Sequence, residues 1–438
     1  MKLNPEFAIF DENAFVQARQ ALADLSPVND LDDIILTIGE PQMPAPALIT
    51  QTLAQQLDDG AAHWQYYPKH VGNPAFLKSV HGYIARRFGD AAAGLITPAK
   101  HIFPVPGTRE PLHLLGACVK GVKTEAIALV SNPFYHAWRA GGLASGGAIH
   151  YLNATAENGF LPDLEAIPSE IWARASIIYL CAPTNPQGGL ASKTWLATAL
   201  EKARAHDVLL VMDECYADIW RDEQPVGMLE VAAEMAQSGA WAGDPLSHLV
   251  VIHSLSKRSG AAGIRAGFIC GDPEVISAYA KLAANGAALV PTPLLDIATR
   301  LYQDDAHNAE IRAHYDENFA ILERALKPII ADLDIPKGGF FLWLPVGDDI
   351  GFSRALYAQT GLRVMPGRYM AADGRVDGSQ SGQLDNPGTG YVRIALVHDH
   401  EKTAEVARRL AVFLADHGLE ANLPLPDQHQ PDPQEKAS

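Results

Sequence analysis

Short apolar runs recur through the middle of the chain, at residues 127–130, 177–180, 208–212, 249–252 and 267–270, with helical or Gly/Pro-rich stretches between them. Runs that are apolar throughout, rather than alternating, fit strands buried on both faces. Their separation by helices predicts a largely parallel sheet covered on both sides. Ahead of these runs, residues 34–38 are mostly apolar and end at Gly39-Glu40-Pro41, with Pro44 and Pro46 close behind. That composition predicts an extended segment rather than a helix. From Pro74 to Phe88, apolar residues at Phe76, Leu77, Val80, Tyr83 and Ile84 follow helical spacing, with Arg86 and Arg87 in the expected last turn.

Beyond Pro291-Thr292-Pro293 the pattern changes. A long amphipathic stretch reaches about Ile330, and a strand is expected at 338–343. A Gly-rich polar loop at 371–390 reads as a flexible surface excursion, followed by an apolar run at 391–397 and a last helix at 403–417. This predicts a second, α+β domain. The expected division is 1–45 as an N-terminal segment joining the small domain, 46–295 as the large domain, 296–420 as the small domain, and a Pro/Gln/Asp-rich tail at 421–438 read as disordered.

The chain has 438 residues, too many for one hydrophobic core, and its 48% hydrophobic and 19% charged content is that of a globular enzyme. Its net charge of −17 repels nucleic acid and anionic membrane surfaces, so an anionic ligand must be held by a local cluster of positive groups. Cys118, Cys181, Cys215 and Cys270 lie in or beside apolar runs without metal-type spacing. They read as buried thiols. With no long apolar span and no secretory pattern at the start, the expected compartment is the cytoplasm.

The chemistry gathers at the ends of the apolar runs. In His253-Ser254-Leu255-Ser256-Lys257-Arg258, a lysine leaves a strand between two hydroxyls, with Arg265 further on. Such a lysine is either a solvated loop charge or an amine held in a closed pocket, able to form an imine, with Ser254, Ser256 and Arg265 gripping a phosphate. Asp213 ends the run 208–212, where α/β sheets bind ligands; a helix cap would explain it equally well. Gly107-Thr108-Arg109 opens an apolar helix, whose free amides attract phosphate. Asn185-Pro186 forms a turn after another strand.

The ordered set Asn185-Pro-x-Gly, Asp213-x-x-Tyr216, Ser254-x-Ser256-Lys257 with Arg265, and Tyr391-Val-Arg393 resembles the class I/II, fold-type-I aminotransferases that use pyridoxal 5′-phosphate (PLP), from about Leu36 to about Leu414. The resemblance implies an α/β fold with a large cofactor domain and a smaller α+β domain. It implies Lys257 as the lysine that holds PLP and shuttles the substrate proton, with Asp213 paired to the pyridine nitrogen. Asn185 and Tyr216 would face the phenolic oxygen, and Tyr135 would stack on the ring. Gly107, Thr108, Arg109, Ser254, Ser256 and Arg265 would form the phosphate cup. Arg393 would clamp the substrate α-carboxylate, with Gly39 beside it. Tyr67, five residues before Gly72, would reach the phosphate of a neighbouring subunit, implying a homodimer.

Within the family, residues 155–160, 213–216, 253–259 and 391–397 resemble the succinyldiaminopimelate transaminases of lysine and cell-wall precursor synthesis. This implies amino transfer between glutamate/2-oxoglutarate and N-succinyl-2-amino-6-oxopimelate. The stretch around Asn285 is less polar than a distal-carboxylate grip requires, so an aspartate or aromatic aminotransferase stays open, as does a β-lyase. A non-catalytic PLP-binding regulator is disfavoured, since no basic helix-turn-helix module precedes the fold. His398-Asp399-His400 reads as surface loop, and no metal site is expected.

Overall fold

A computed structural model describes residues 5–11, 13–28, 31–58, 63–69, 73–239, 241–373 and 385–420. The tail at 421–438, Gly72 and the middle of the Gly-rich loop lie outside the described residues.

The strand β1 (Ile34–Ile35) is followed by β2 (Ile102–Val105), β3 (Ile127–Asn132), β4 (Ala148–Asn153), β5 (Ala175–Cys181), β6 (Leu209–Asp213), β7 (Leu249–Ser254) and β8 (Gly267–Gly271). The last seven form one sheet in the order β2-β8-β7-β6-β5-β3-β4. From β7 through β4 every neighbour is parallel, while β8 is antiparallel to both β7 and β2. The last apolar run thus departs from the parallel pattern. Between β7 and β8 the chain makes only the short turns Leu255–Arg258 and Ala262–Ile264, with no crossover helix to return it parallel.

Every residue of β3, β5, β6, β7 and β8 is buried. Alternate side chains enter two cores. On one face, Leu129, Ile178, Leu210 and Val251 pack with the helices Pro74–Gly94, Lys193–Ala205, Met228–Ser238 and Thr292–Gln303. On the other, Val130, Tyr179, Val211 and Ile252 pack with Arg109–Cys118, His136–Ala144 and Pro273–Gly286. The apolar pattern does not announce β2 and β4. Both are edge strands; β2 carries Pro104, and β4 is only half-buried.

The helix expected to end at Phe88 kinks there, at Gly89 with φ of 88°, and continues to Gly94. Arg87 is therefore not a solvated terminal charge but is buried against Asp218. The amphipathic stretch beyond Pro291 breaks at Asp304-Asp305 into Thr292–Gln303 and Ala306–Leu326. Leu295, Ile297 and Leu301 of the first helix join the large-sheet core, so residues 295 and 296 lie within one helix of that layer.

The second core surrounds β9 (Phe341–Pro345), β10 (Leu362–Arg363), β11 (Met365–Pro366) and β12 (Tyr391–Ala395). β11, β12 and β9 form an antiparallel sheet, and β10 pairs with β1. Phe319, Leu322, Phe352 and Leu410 from three helices pack with Ile34 and Leu36, so the extended N-terminal segment belongs to this layer. The ends of the Gly-rich loop are held against the large sheet. Asn132 brackets Ala372 with hydrogen bonds of 2.8 and 3.0 Å, and Asn153 donates to the Asp385 carbonyl at 3.3 Å.

The helices Arg109–Cys118 and His136–Ala144 touch through glycine. A Cβ on Gly116 would lie 1.9 Å from the Gly141 carbonyl oxygen, while one on Gly94 would meet nothing within 4 Å. We expect Gly116→Ala to destabilise the protein by about 1–3 kcal/mol, as overpacking does. Gly94→Ala should not lower the thermal midpoint, and equal midpoints for the two variants would contradict the packing.

Candidate active site

One edge of the large sheet gathers the carboxyl ends of β2, β3, β5, β6 and β7 with the amino end of β8. The registers Cys181 to Asp213, Asp213 to Ile252, and Gly267 to both Ser254 and Val105 bring them level. The loops that carry Gly107, Tyr135, Asn185, Asp213 and Lys257 leave from this edge.

Lys257 sits on the turn after β7, which Ser254 caps by accepting a hydrogen bond from the Ser256 amide at 3.1 Å. Its Nζ donates to the Gly39 carbonyl and lies 5.3 Å from the Phe340 ring centroid. Burial disfavours the charged amine and pushes its pKa down to about 8, with Arg393 adding repulsion. Gly39 itself lies flush against Phe341, where a Cβ would fall 2.3 Å from the ring.

Asp213 ends β6 and is 2% exposed. One carboxylate oxygen accepts from the Trp138 indole at 3.3 Å and the other from the Cys215 amide at 3.2 Å. Burial pushes the carboxyl above its ordinary range, and these donors bring it only part of the way back. A cation beside Asp213 would restore the ionised form.

A chain of polar contacts then crosses to the small sheet. Asn185 donates to the Tyr216 hydroxyl at 3.3 Å and accepts from Arg393 Nη1 at 3.2 Å, while Arg393 Nη2 donates to the Thr37 carbonyl at 2.6 Å. The Arg393 guanidinium is 4.3 Å from the Phe341 ring centroid, its Nε has no partner, and burial pushes its pKa down to about 10. Among the described residues no carboxylate pairs with it.

On the other side, Gly107 adopts φ of 81° and lies flush against Arg265; a Cβ there would be 2.2 Å from Nη2. Arg265 donates to the Pro106 and Ala262 carbonyls, each at 3.0 Å. Thr108 precedes the helix Arg109–Cys118, and its hydroxyl makes no capping bond among the described residues. Ser254 and Ser256 hydroxyls are 2.9 Å apart. Tyr135 begins the helix His136–Ala144, and burial pushes its pKa up against the opposing effect of Arg109. Tyr67 alone stands apart. It is 98% exposed, in a groove of about 470 Å³ lined by Trp64, Tyr66, Leu289, Pro291 and Pro293.

The sequence reading did not single out Trp138, Thr37, Phe340 or Phe341. Trp138 had a signal: it lies three residues after Tyr135, on the same helical face. Thr37 acts through its backbone carbonyl, which sequence does not mark.

Residues 32–410 match the family described as aminotransferase class I and II, and the chain belongs to that family. It is an enzyme that transfers amino groups with pyridoxal phosphate as cofactor. It is 28% identical over 388 residues to an LL-diaminopimelate aminotransferase of Syntrophobacter fumaroxidans, covering 87% of this chain and 91% of that one. It is 29% identical over 403 residues to the same-named protein of Desulforudis audaxviator, covering 90% and 94%. Among solved structures, an aminotransferase from Neisseria meningitidis superposes with a TM-score of 0.81 at 29% identity, covering 92% of this chain and 97% of that one.

The depressed pKa of Lys257 is directly measurable. In cofactor-free protein, competitive acylation followed by peptide mapping should give Lys257 a labelling midpoint near pH 8, below the ordinary lysine value of about 10.4. A midpoint matching the surface lysines would contradict the burial described here.

Proposed function

We propose that the chain transfers an amino group between glutamate/2-oxoglutarate and N-succinyl-2-amino-6-oxopimelate. The observation that carries an amino-acid substrate is Arg393. A buried guanidinium with a free Nε and, among the described residues, no carboxylate partner, close enough to Lys257 to repel it, is arranged to receive the carboxylate of a ligand whose amine reaches Lys257.

The residues present fit the cofactor. Asp213, raised by burial, regains its charge beside a protonated pyridine nitrogen. The Thr108 hydroxyl, the amides that follow Gly107, Arg109, Ser254, Ser256 and Arg265 form a donor set for phosphate. Asn185 and Tyr216 hold the phenolic oxygen, and Tyr135 covers the ring. When bound, pyridoxal phosphate supplies the electron sink for the carbanion at the substrate α-carbon. Lys257 Nζ, with its pKa near 8, would take the proton from the substrate α-carbon and deliver it to C4′ of the cofactor. Arg393 and Asn185 orient the α-carboxylate, with the Gly39 backbone beside it.

Two features support the finer assignments of partner and place. Trp64, Tyr66 and Tyr67 expose a large aromatic surface, which suits cover by a second copy of the chain, with Tyr67 reaching that copy's phosphate. Four unpaired cysteines suit a reducing, cytoplasmic setting.

Support for the succinylated substrate comes from the residue stretches that resemble that group. A second reading, unsubstituted LL-diaminopimelate, is favoured by the names of the relatives. Half-reactions read by the cofactor's absorbance change separate the two. N-Succinyl-LL-diaminopimelate should exceed LL-diaminopimelate, aspartate and phenylalanine in kcat/KM by roughly an order of magnitude, because remote binding raises turnover. If LL-diaminopimelate leads, the second reading replaces the first; if aspartate or phenylalanine leads, both fail. Borohydride reduction should leave the label on Lys257, and a label on another lysine would overturn its role.

A further inference from the structure

Behind the site lies a buried charge cluster that the proposed chemistry does not use. The Asp218 side chain, 8% exposed, accepts from the Tyr83 hydroxyl at 2.8 Å and from Arg87 Nε at 3.1 Å, and lies 3.1 Å from Arg258 Nε. Burial raises its pKa, but Arg258 and Arg87 outweigh that and hold the carboxyl below its ordinary range. Arg258 also donates to the Leu301 carbonyl at 2.9 Å and to Asp305 at 2.7 Å, and its own carbonyl accepts from Asn308 at 2.9 Å.

The placement is selective. Asp218 follows Tyr216 by two residues, and Arg258 follows Lys257 by one. One carboxylate therefore joins the two segments that carry the amine and the phenol of the site. Arg87 anchors the same corner from a third element by donating to the Ala217 and Pro225 carbonyls at 2.8 and 2.9 Å. Buried ions are a poor way to add stability, since well-packed apolar residues hold a fold as well or better. What a buried guanidinium and carboxylate add is a fixed spacing: Arg258 Nε faces Asp218 as an ion pair without hydrogen-bond geometry, and Arg87 supplies the directed bond to the same carboxylate.

We propose that Asp218 is a positioning residue for the reaction: by gripping Arg258 from the segment that carries Tyr216, it fixes the spacing between the Lys257 amine and the Tyr216 hydroxyl. This rests on Lys257 being the cofactor lysine. The test uses Asp218→Asn and Arg258→Lys in the full-length holoenzyme, with glutamate half-reactions and a pH titration of the bound cofactor's absorbance. Misplacement by an ångström can cost about a hundredfold, so we expect the maximal rate to fall at least tenfold while half-saturation changes less than about threefold. The absorbance midpoint should shift, with the borohydride label still on Lys257.

A wild-type maximal rate and an unshifted midpoint in either folded variant would overturn the proposal, as would a loss confined to half-saturation. If Asp218→Asn does not fold, Arg258→Lys decides by the same criteria, with Asp305→Asn as the control: Arg258→Lys also loses the bonds to Leu301 and Asp305, and equal kinetic losses in the Asp305→Asn control would overturn the assignment to Asp218. A label away from Lys257 in the unaltered protein would instead sink the underlying assignment.

Discussion

Burying positive charge without a negative partner is costly, and the site is built around two such cations. Lys257 and Arg393 lie within mutual electrostatic reach, and burial drives their pKa values down to about 8 and about 10. Among the described residues Arg87 and Arg258 share Asp218, while the buried Arg204 and Arg221 meet backbone carbonyls as Arg393 does; what sets Arg393 apart is its place beside Lys257. At Arg393 the described residues supply an amide oxygen and a backbone carbonyl. A position that withholds the carboxylate has stability to gain when a ligand brings one.

The topology makes this arrangement possible. The large sheet delivers Asp213, Lys257 and the Asn185 turn to one edge, and because β8 runs antiparallel to β7, the short connection between them keeps Arg265 at the same edge. The small sheet supplies the rest: β12 carries Arg393, and β9 begins at Phe341, whose ring supports the guanidinium. Thr37 and Gly39, on the segment that packs with the small sheet, receive Arg393 and Lys257. The site is thus a joint between two layers, and moving one layer moves Arg393 relative to the Lys257 amine.

Much of this was legible in the sequence, for physical reasons. Strands buried on both faces must be apolar throughout, so β3, β5, β6 and β7 were visible, and the polar residues that end them marked the ligand edge. Edge strands carry weaker constraints, so β2 with Pro104 and the half-exposed β4 were not seen. Strand direction depends on what covers the connection, so β8 read as one more parallel run. Arg86 and Arg87 look alike in sequence, yet one lies on an exposed pair with Asp305 and the other is sealed against Asp218. Contacts made by backbone carbonyls, such as those of Thr37 and Gly39, depend on chain path rather than residue type. The Gly-rich loop read as a free excursion, but the tethers at its ends come from Asn132 and Asn153 on remote strands.

The claim that Arg393 is held open for a substrate carboxylate is tested most directly by a two-by-two comparison. Glutamate and glutamate α-amide are each presented as donors to the unaltered enzyme and to Arg393→Lys. If the guanidinium meets the α-carboxylate, each change alone should cost about 2–5 kcal/mol in kcat/KM, and the two together little more than one. Fully additive losses would show that Arg393 and the carboxylate do not meet, and would contradict the account.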